Sequence, residues 1–224
     1  MTKVLLIDDD IDLGGFLNMA LTSLGHEVHF QNSLTGINGI IKEFKPDILV
    51  LDVEIGKQNG INEAETIIKQ FPYIPILFIS SHTQIENISK GLSVGGVSFI
   101  KKPFEIQELD AYIKRFSQKN SSDDIILIGL YSLELSDQKL VFKKEIVKHL
   151  SPLEKNGLLL LIKNKNQVVT REEFSNELWG TEFSTDIEAA LNNLISKLRK
   201  MINKDSRISI DTIKFKGYKL VFKG

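Results

Sequence analysis

The first half of the chain repeats one pattern, a short apolar run followed by a stretch of helical period. Val4–Ile7, Ile48–Leu51 and Ile76–Ile79 are continuous and apolar, which suits strands buried on both faces of a parallel sheet. Glu27–Gln31 alternates like an outer strand, and Ser98–Ile100 is a fifth, shorter candidate. Helical periodicity occupies 12–24, 34–44, 61–70, 83–94 and 105–116, and Gly25 follows the first of these as a C′ residue. This succession of βα units predicts a doubly wound α/β domain with right-handed crossovers.

The pattern changes after residue 118. Residues 119–124 are polar and aperiodic, and are read as a linker between a domain at 1–118 and another at 125–224. Ile125–Lys148 reads as short strands broken at Ser136-Asp137 and Lys143-Lys144. Ser151-Pro-Leu-Glu154 is a helix start with Ser at the N-cap, Pro at N1 and Glu at N3. Helices are expected at 152–163, 171–178 and 185–202, with Thr170 capping the second and Glu173 at its N3. Arg207–Phe222 resembles a hairpin. Three helices followed by a two-stranded wing predict a winged helix-turn-helix α+β domain.

The polar residues of the first half gather at strand ends. Asp8, Asp9 and Asp10 follow the first strand, Asp52 the third, Ser80 the fourth, and Lys102 comes just after the fifth. In an open parallel sheet these carboxyl ends share one edge, where ligands bind. Clustered carboxylates without His or Cys favour a hard cation such as Mg²⁺. Such an ion screens Asp52 from an incoming phosphoryl group. Asp52 is then the nucleophile that forms an acyl phosphate, Lys102 a point charge for the phosphate, and Ser80 a hydroxyl donor. A solvated strand end would account for one acidic triplet; it does not account for polar groups at successive strand ends. His26, His29, His82 and His149 are scattered and read as surface or core residues.

On these residues the first domain resembles the receiver domain of two-component response regulators, a flavodoxin-like fold. The resemblance is carried by Leu5-Leu-Ile-Asp-Asp-Asp10, Leu51-Asp52 with Asn59-Gly60, Ile79-Ser80-Ser81, and Phe99-Ile-Lys-Lys-Pro-Phe104. It implies a metal held by Asp8, Asp9, Asp52 and the Glu54 backbone carbonyl, and Lys102 rather than Lys101 as the site lysine. It also implies a cis Lys102-Pro103 bond, with Ser80 and Phe99 as the pair that moves on phosphorylation. Gly56 and Asn59 stand where the family often has Pro and Asp. Val97 and Ser98 replace two Asp residues usual in relatives with this kind of DNA-binding domain, and Tyr112 replaces an Arg, so the usual inter-subunit ion pairs cannot all form.

Charge separates the halves. Of 224 residues, 42% are apolar and 25% charged, ordinary for a globular protein. The net charge of −1 divides into −4 over 1–120 and +3 over 121–224, with +7 in 195–224 alone. A basic tail behind an acidic front points to a polyanion partner. Leu191, Leu194, Ile195 and Leu198 form a buried stripe, which leaves Asn192, Asn193, Ser196, Lys197 and Lys200 on the other side. Asn can read adenine, and Lys can reach guanine or phosphate. Lys214, Lys216 and Lys219 sit in or beside the hairpin turn, placed for phosphates or the minor groove.

Leu150-Ser-Pro-Leu-Glu154, Val169-Thr-Arg-Glu-Glu-Phe174, Leu178-Trp-Gly180, Ile195-Ser-Lys-Leu-Arg-Lys200 and Gly217-Tyr-Lys-Leu220 resemble the winged-helix effector domain of OmpR/PhoB-type regulators. The family implies major-groove reading by the third helix and backbone contact by the wing. Phe215 replaces a Gly common in that wing. The loop Gly180–Ser184 is a candidate contact for RNA polymerase.

Absence of cysteine and of any long apolar run fits a cytoplasmic protein without a membrane segment. The expectation is a transcriptional regulator phosphorylated on Asp52 by a histidine kinase with Mg²⁺, pairing through its receivers on adjacent DNA half-sites. It is not expected to be an enzyme beyond assisting its own phosphoryl transfer and dephosphorylation. The alternative is a constitutive DNA-binding dimer whose receiver is only a scaffold. A phosphohydrolase ranks third, since no general acid or substrate cap accompanies Asp52.

Overall fold

The computed structural model describes residues 1–81, 85–117 and 125–223, with backbone alone for 85–89. His82 and the expected linker lie outside these residues. The chain divides into two compact units, Met1–Gln118 and Lys119–Gly224.

The first unit holds strands β1 (Lys3–Ile7), β2 (Glu27–Gln31), β3 (Ile48–Asp52), β4 (Ile76–Ser80) and β5 (Ser98–Lys101). They pair in parallel in the order β2-β1-β3-β4-β5. Helices α1 (Ile11–Ser23), α2 (Ile37–Phe44), α3 (Gly60–Gln70), α4 (Ile85–Val94) and α5 (Ile106–Phe116) make the crossovers. The pleat sends alternate side chains to opposite faces. Leu5, Ile7, Leu49, Leu51 and Phe78 pack with residues of α2 and α3. Val4, Leu6, Val50, Leu77 and Ile79 pack with Leu17 and Leu21 of α1 and Leu109 and Ile113 of α5. The order reverses between β1 and β3, so Asp8 and Asp52 flank the switch point.

The α2 helix begins three residues later than the pattern suggests. Leu34 and Ile37 keep helical spacing, but Gly36 is left-handed at φ 73°, and regular helix starts only after it. Asp10 caps α1 by accepting from the Leu13 N–H at 3.0 Å.

The second unit opens with a four-stranded antiparallel sheet of β6 (Ile125–Ile128), β7 (Tyr131–Glu134), β8 (Lys139–Phe142) and β9 (Glu145–His149). The first turn, at Gly129, is absent from the sequence reading because Ile125–Leu130 is almost continuously apolar; Gly129 adopts φ 61° there. Helices α6 (Pro152–Lys163), α7 (Arg171–Trp179) and α8 (Thr185–Met201) follow, with both expected capping boxes present. Strand β10 (Val168–Thr170) joins the hairpin β11 (Ile208–Ile213) and β12 (Gly217–Phe222) in a three-stranded sheet. Three helices with a terminal hairpin are the winged helix-turn-helix arrangement. Gly217 is required at the β10 contact, because a Cβ there would sit 2.0 Å from the Val169 carbonyl oxygen.

Candidate functional site

Asp8, Asp9, Asp10, Asp52, Glu54, Gly56, Asn59, Ser81 and Lys102 line one pocket at the carboxyl edge of the parallel sheet. Lys102 Nζ donates to Asp8 Oδ2 at 2.7 Å and to Asp52 Oδ2 at 2.5 Å. Both carboxylates are buried, Asp8 fully and Asp52 at 5% exposure. The Lys102-Pro103 bond is cis. The other oxygen of Asp52 accepts the Glu54 N–H at 3.0 Å, and Asp9 accepts the Gly56 N–H at 2.9 Å.

One ammonium shared by two buried carboxylates leaves the site short of positive charge. Burial pushes the Asp52 carboxyl above its ordinary range; Lys102 and the Glu54 N–H offset this only in part, and Asp8 adds repulsion. Burial also opposes the charge of Lys102, but its bonds to Asp52 and Asp8 outweigh burial and raise its pKa. The ligand oxygens of Asp8, Asp9 and Asp52 lie within 4.8 Å of one another. Three clustered carboxylates, in a pocket whose lining residues include no His or Cys, fit a hard divalent cation.

Gly60 brings helix α3 against this centre. Its N–H donates to the Val53 carbonyl at 2.8 Å, and a Cβ on it would fall 2.1 Å from the Asp52 backbone oxygen. Asn59 caps the same helix by accepting from the Ile61 and Asn62 N–H groups. Ser80 is fully buried at the end of β4, while its exposed neighbour Ser81 lines the pocket. Phe99 is half-buried on β5, its ring 6.2 Å from Phe78. Sequence assigns no role to Ser81 and no positioning role to Gly60 or Asn59, although the motifs Ile79-Ser80-Ser81 and Asn59-Gly60 contain all three. Val97, just before β5, and Ser98, its first residue, are buried at 2% and 5%, and neither carries an acid.

In the second unit, Asn192, Ser196 and Lys200 are exposed on α8, and Asn193 and Lys197 half-exposed. They lie opposite the buried stripe Leu191, Leu194, Ile195 and Leu198. Asn192 is already engaged, since its amide oxygen accepts the Tyr218 hydroxyl at 2.6 Å. The amide oxygen has a second lone pair, so this bond orients Asn192 without by itself closing the side chain to a two-bond contact with adenine. Lys214 and Lys216 are exposed at the hairpin turn and Lys219 half-exposed on β12. Arg199 fixes the hairpin to α8, donating to the Ile210 carbonyl at 2.8 Å and the Thr212 hydroxyl at 2.7 Å.

Residues 4–114 match the response regulator receiver domain family, and residues 144–220 match the C-terminal domain family of transcriptional regulatory proteins. The chain is 31% identical to a CpxR homolog of Haemophilus influenzae, covering 99% of this chain and 100% of that one. It is 29% identical to the transcriptional regulatory protein RprY of Bacteroides fragilis, covering 98% of this chain and 94% of the relative. A solved structure of a RitR mutant shares the fold over 100% of both chains, at 20% identity and a TM-score of 0.74. No described helix is long and apolar enough to cross a membrane. A receiver fold with its acidic edge, joined to a winged helix, places this chain in the OmpR/PhoB-type family of DNA-binding two-component response regulators.

Proposed function

We propose that this regulator is switched by phosphorylation of Asp52 and, so switched, binds promoter DNA as a dimer. The observation that carries the reading is Lys102 held between buried Asp8 and Asp52 at the sheet switch point. A histidine kinase is the donor. An Asp52 oxygen bonds to phosphorus as the P–N bond breaks, and the kinase imidazole leaves with the electron pair. Lys102 is poised to follow the phosphoryl oxygens, and the Ser81 rim and the Gly56–Asn59 loop bound the space they enter. Asp8, Asp9, Asp52 and the Glu54 carbonyl would hold Mg²⁺, which would supply positive charge to the transferring oxygens. Exposed Ile11, Phe16 and Met19 on α1, the helix capped by the pocket residue Asp10, form an apolar surface suited to the donor protein.

Ser80 and Phe99 are the residues we assign to the switch, since one ends β4 inside the core and the other bridges core and surface on β5. Paired receivers place two winged helices on half-sites about 10–11 base pairs apart. Helix α8 reads the major groove through Asn193, Ser196, Lys197 and Lys200. Lys214, Lys216 and Lys219 meet the backbone. The exposed loop Gly180–Ser184, anchored where Ser175 Oγ donates to the Thr181 carbonyl at 2.7 Å, is the surface for RNA polymerase. The site of action is the cytoplasm.

A small phosphodonor with Mg²⁺ tests the centre of this reading. The full chain should gain one hydroxylamine-sensitive phosphoryl group and Asp52→Ala none; equal labelling of the two would sink it. The absence of acidic side chains at Val97 and Ser98 favours a second reading, in which the receiver is a constitutive scaffold. That reading expects the same DNA affinity and mass in solution with and without phosphodonor.

A further inference from the structure

The hairpin tip carries an aromatic ring where a glycine would fit better. The turn reads Ile213-Lys-Phe-Lys-Gly217. It closes through the Lys216 N–H, which donates to the Ile213 carbonyl at 3.0 Å, so Phe215 occupies the third turn position. Phe215 has φ 60°. That left-handed conformation suits Gly or Asn at such a position and is an outlier for a bulky side chain. The ring is also 87% exposed, more than any other large apolar side chain among the described residues except Met1 at 92%. Backbone strain and an aromatic in water thus coincide at one residue. Strain of this kind persists where surrounding structure enforces it, and it clusters at functional sites.

The surroundings say what the ring faces. Lys214 Nζ lies 5.0 Å from the ring centroid, and Lys216 is exposed on the following position. The tip belongs to the segment 195–224, whose net charge is +7. It is rigidly aimed, because Tyr218 and Arg199 tie the hairpin to α8. A polyanion suits the two lysines, and an apolar wedge suits the stacked interior of a duplex reached through its minor groove.

Resting on the DNA-binding reading, we propose that Phe215 enters the minor groove beside the site read by α8 and partly unstacks one base step, while Lys214 and Lys216 hold the flanking phosphates. Pyrimidine–purine steps open most readily, so the wedge selects flexible sequence at a position where no base edge is read.

The probe is a duplex selected from random-sequence DNA by the full-length wild-type chain in the presence of a small phosphodonor and Mg²⁺, and every variant is measured in the same state. It is labelled at both ends for energy transfer and carries 2-aminopurine at pyrimidine–purine steps flanking the α8 footprint. Wild type should shorten the end-to-end distance and brighten the 2-aminopurine. Phe215→Gly should lose both signals and bind about tenfold more weakly, within the range of base–aromatic stacking. Its unfolding midpoint should rise, because the strained turn relaxes, which separates lost function from lost fold. Phe215→Leu should keep most of the bend, and Phe215→Lys should keep affinity without it. If Phe215→Gly binds and bends the duplex as wild type does, the wedge is overturned while DNA binding stands. If wild type enriches no duplex, the DNA-binding reading fails and the wedge falls with it.

Discussion

Asp205 fastens the opening sheet of the second unit to the base of the wing, and its removal has a calculable effect. The residue is 3% exposed. Its carboxylate accepts the Leu130 N–H at 2.7 Å, the Arg207 N–H at 3.1 Å, and Arg207 Nε and Nη2 at 2.9 Å each. The Arg207 bonds, assisted by those backbone N–H groups, hold the carboxyl well below the usual carboxylate range against the opposing effect of burial. Hydrogen bonds to a charged group contribute about 1.5–3 kcal/mol each. The Arg207 side chain is 53% exposed, so its ion pair is screened and counts for no more than about 1 kcal/mol. Two backbone bonds at the lower end plus that pair give about 3–4 kcal/mol for Asp205→Ala.

Trp179 reports this directly, being the only tryptophan and 1% exposed within the same unit. With a urea slope of about 2 kcal/mol per molar, the fluorescence midpoint should fall by about 1.5–2 M at pH 7. A carboxyl whose folded pKa lies below its unfolded value stabilises the fold above the unfolded pKa, and the contribution fades as pH falls. The gap between wild type and Asp205→Ala should therefore be full at neutral pH and narrow progressively below about pH 4. A midpoint shift under about 0.5 M, or a gap that widens in acid, would refute the reasoning.

Gly60→Ala should destabilise the receiver by about 1–3 kcal/mol and slow labelling of Asp52, because the new Cβ meets backbone rather than a movable side chain; thermal denaturation and phosphodonor labelling read the two effects. Saturating Mg²⁺ should stabilise wild type by about 2.7 kcal/mol at a hundred times its Kd, and Asp52→Asn should lose most of that increment in the same denaturation assay. Phe16→Ser should leave labelling by a small phosphodonor unchanged while transfer from a phosphorylated kinase falls, as paired time courses would show. Lys155 is 7% exposed, has no ion-pair partner among the described residues, and has its pKa lowered by burial. Unfolded lysine holds its proton to higher pH than folded Lys155, so urea midpoints should rise with pH through that window, and Lys155→Met should flatten the rise.

The sheet and its pocket were legible because both follow from topology. Continuous apolar runs such as Ile48–Leu51, repeated between helical stretches, suit strands covered on both faces, and the carboxyl ends of parallel strands share an edge. That argument brings Asp8, Asp52 and Lys102 together without a single distance. Local chemistry was equally readable at Ser151 and Thr170, whose capping boxes lie within four consecutive residues. The start of α2 was misplaced because hydrophobic period registers Leu34 and Ile37 while ignoring the backbone conformation of Gly36. Asp205 escaped notice because its partner Leu130 is 75 residues away, and nothing in either neighbourhood signals the bond.

The remaining departures share a direction. Phe215 sits in a glycine conformation, Lys155 is an ammonium without a counter-ion in a helix buried on most sides, and Asp52 is a carboxyl that burial disfavours. Each departs from what local chemistry favours, Phe215 as the one aromatic among the described non-glycine residues of positive φ, and each departure costs stability. Proteins retain such violations where function requires the residue. On the function proposed above, Asp52 is required as a nucleophile short of positive charge, and Phe215 as a ring held out from the fold toward a base step. No contact among the described residues gives Lys155 a comparable role, so substituting it should raise stability with DNA binding intact. The same substitution at Asp52 or Phe215 should raise stability only by removing an activity.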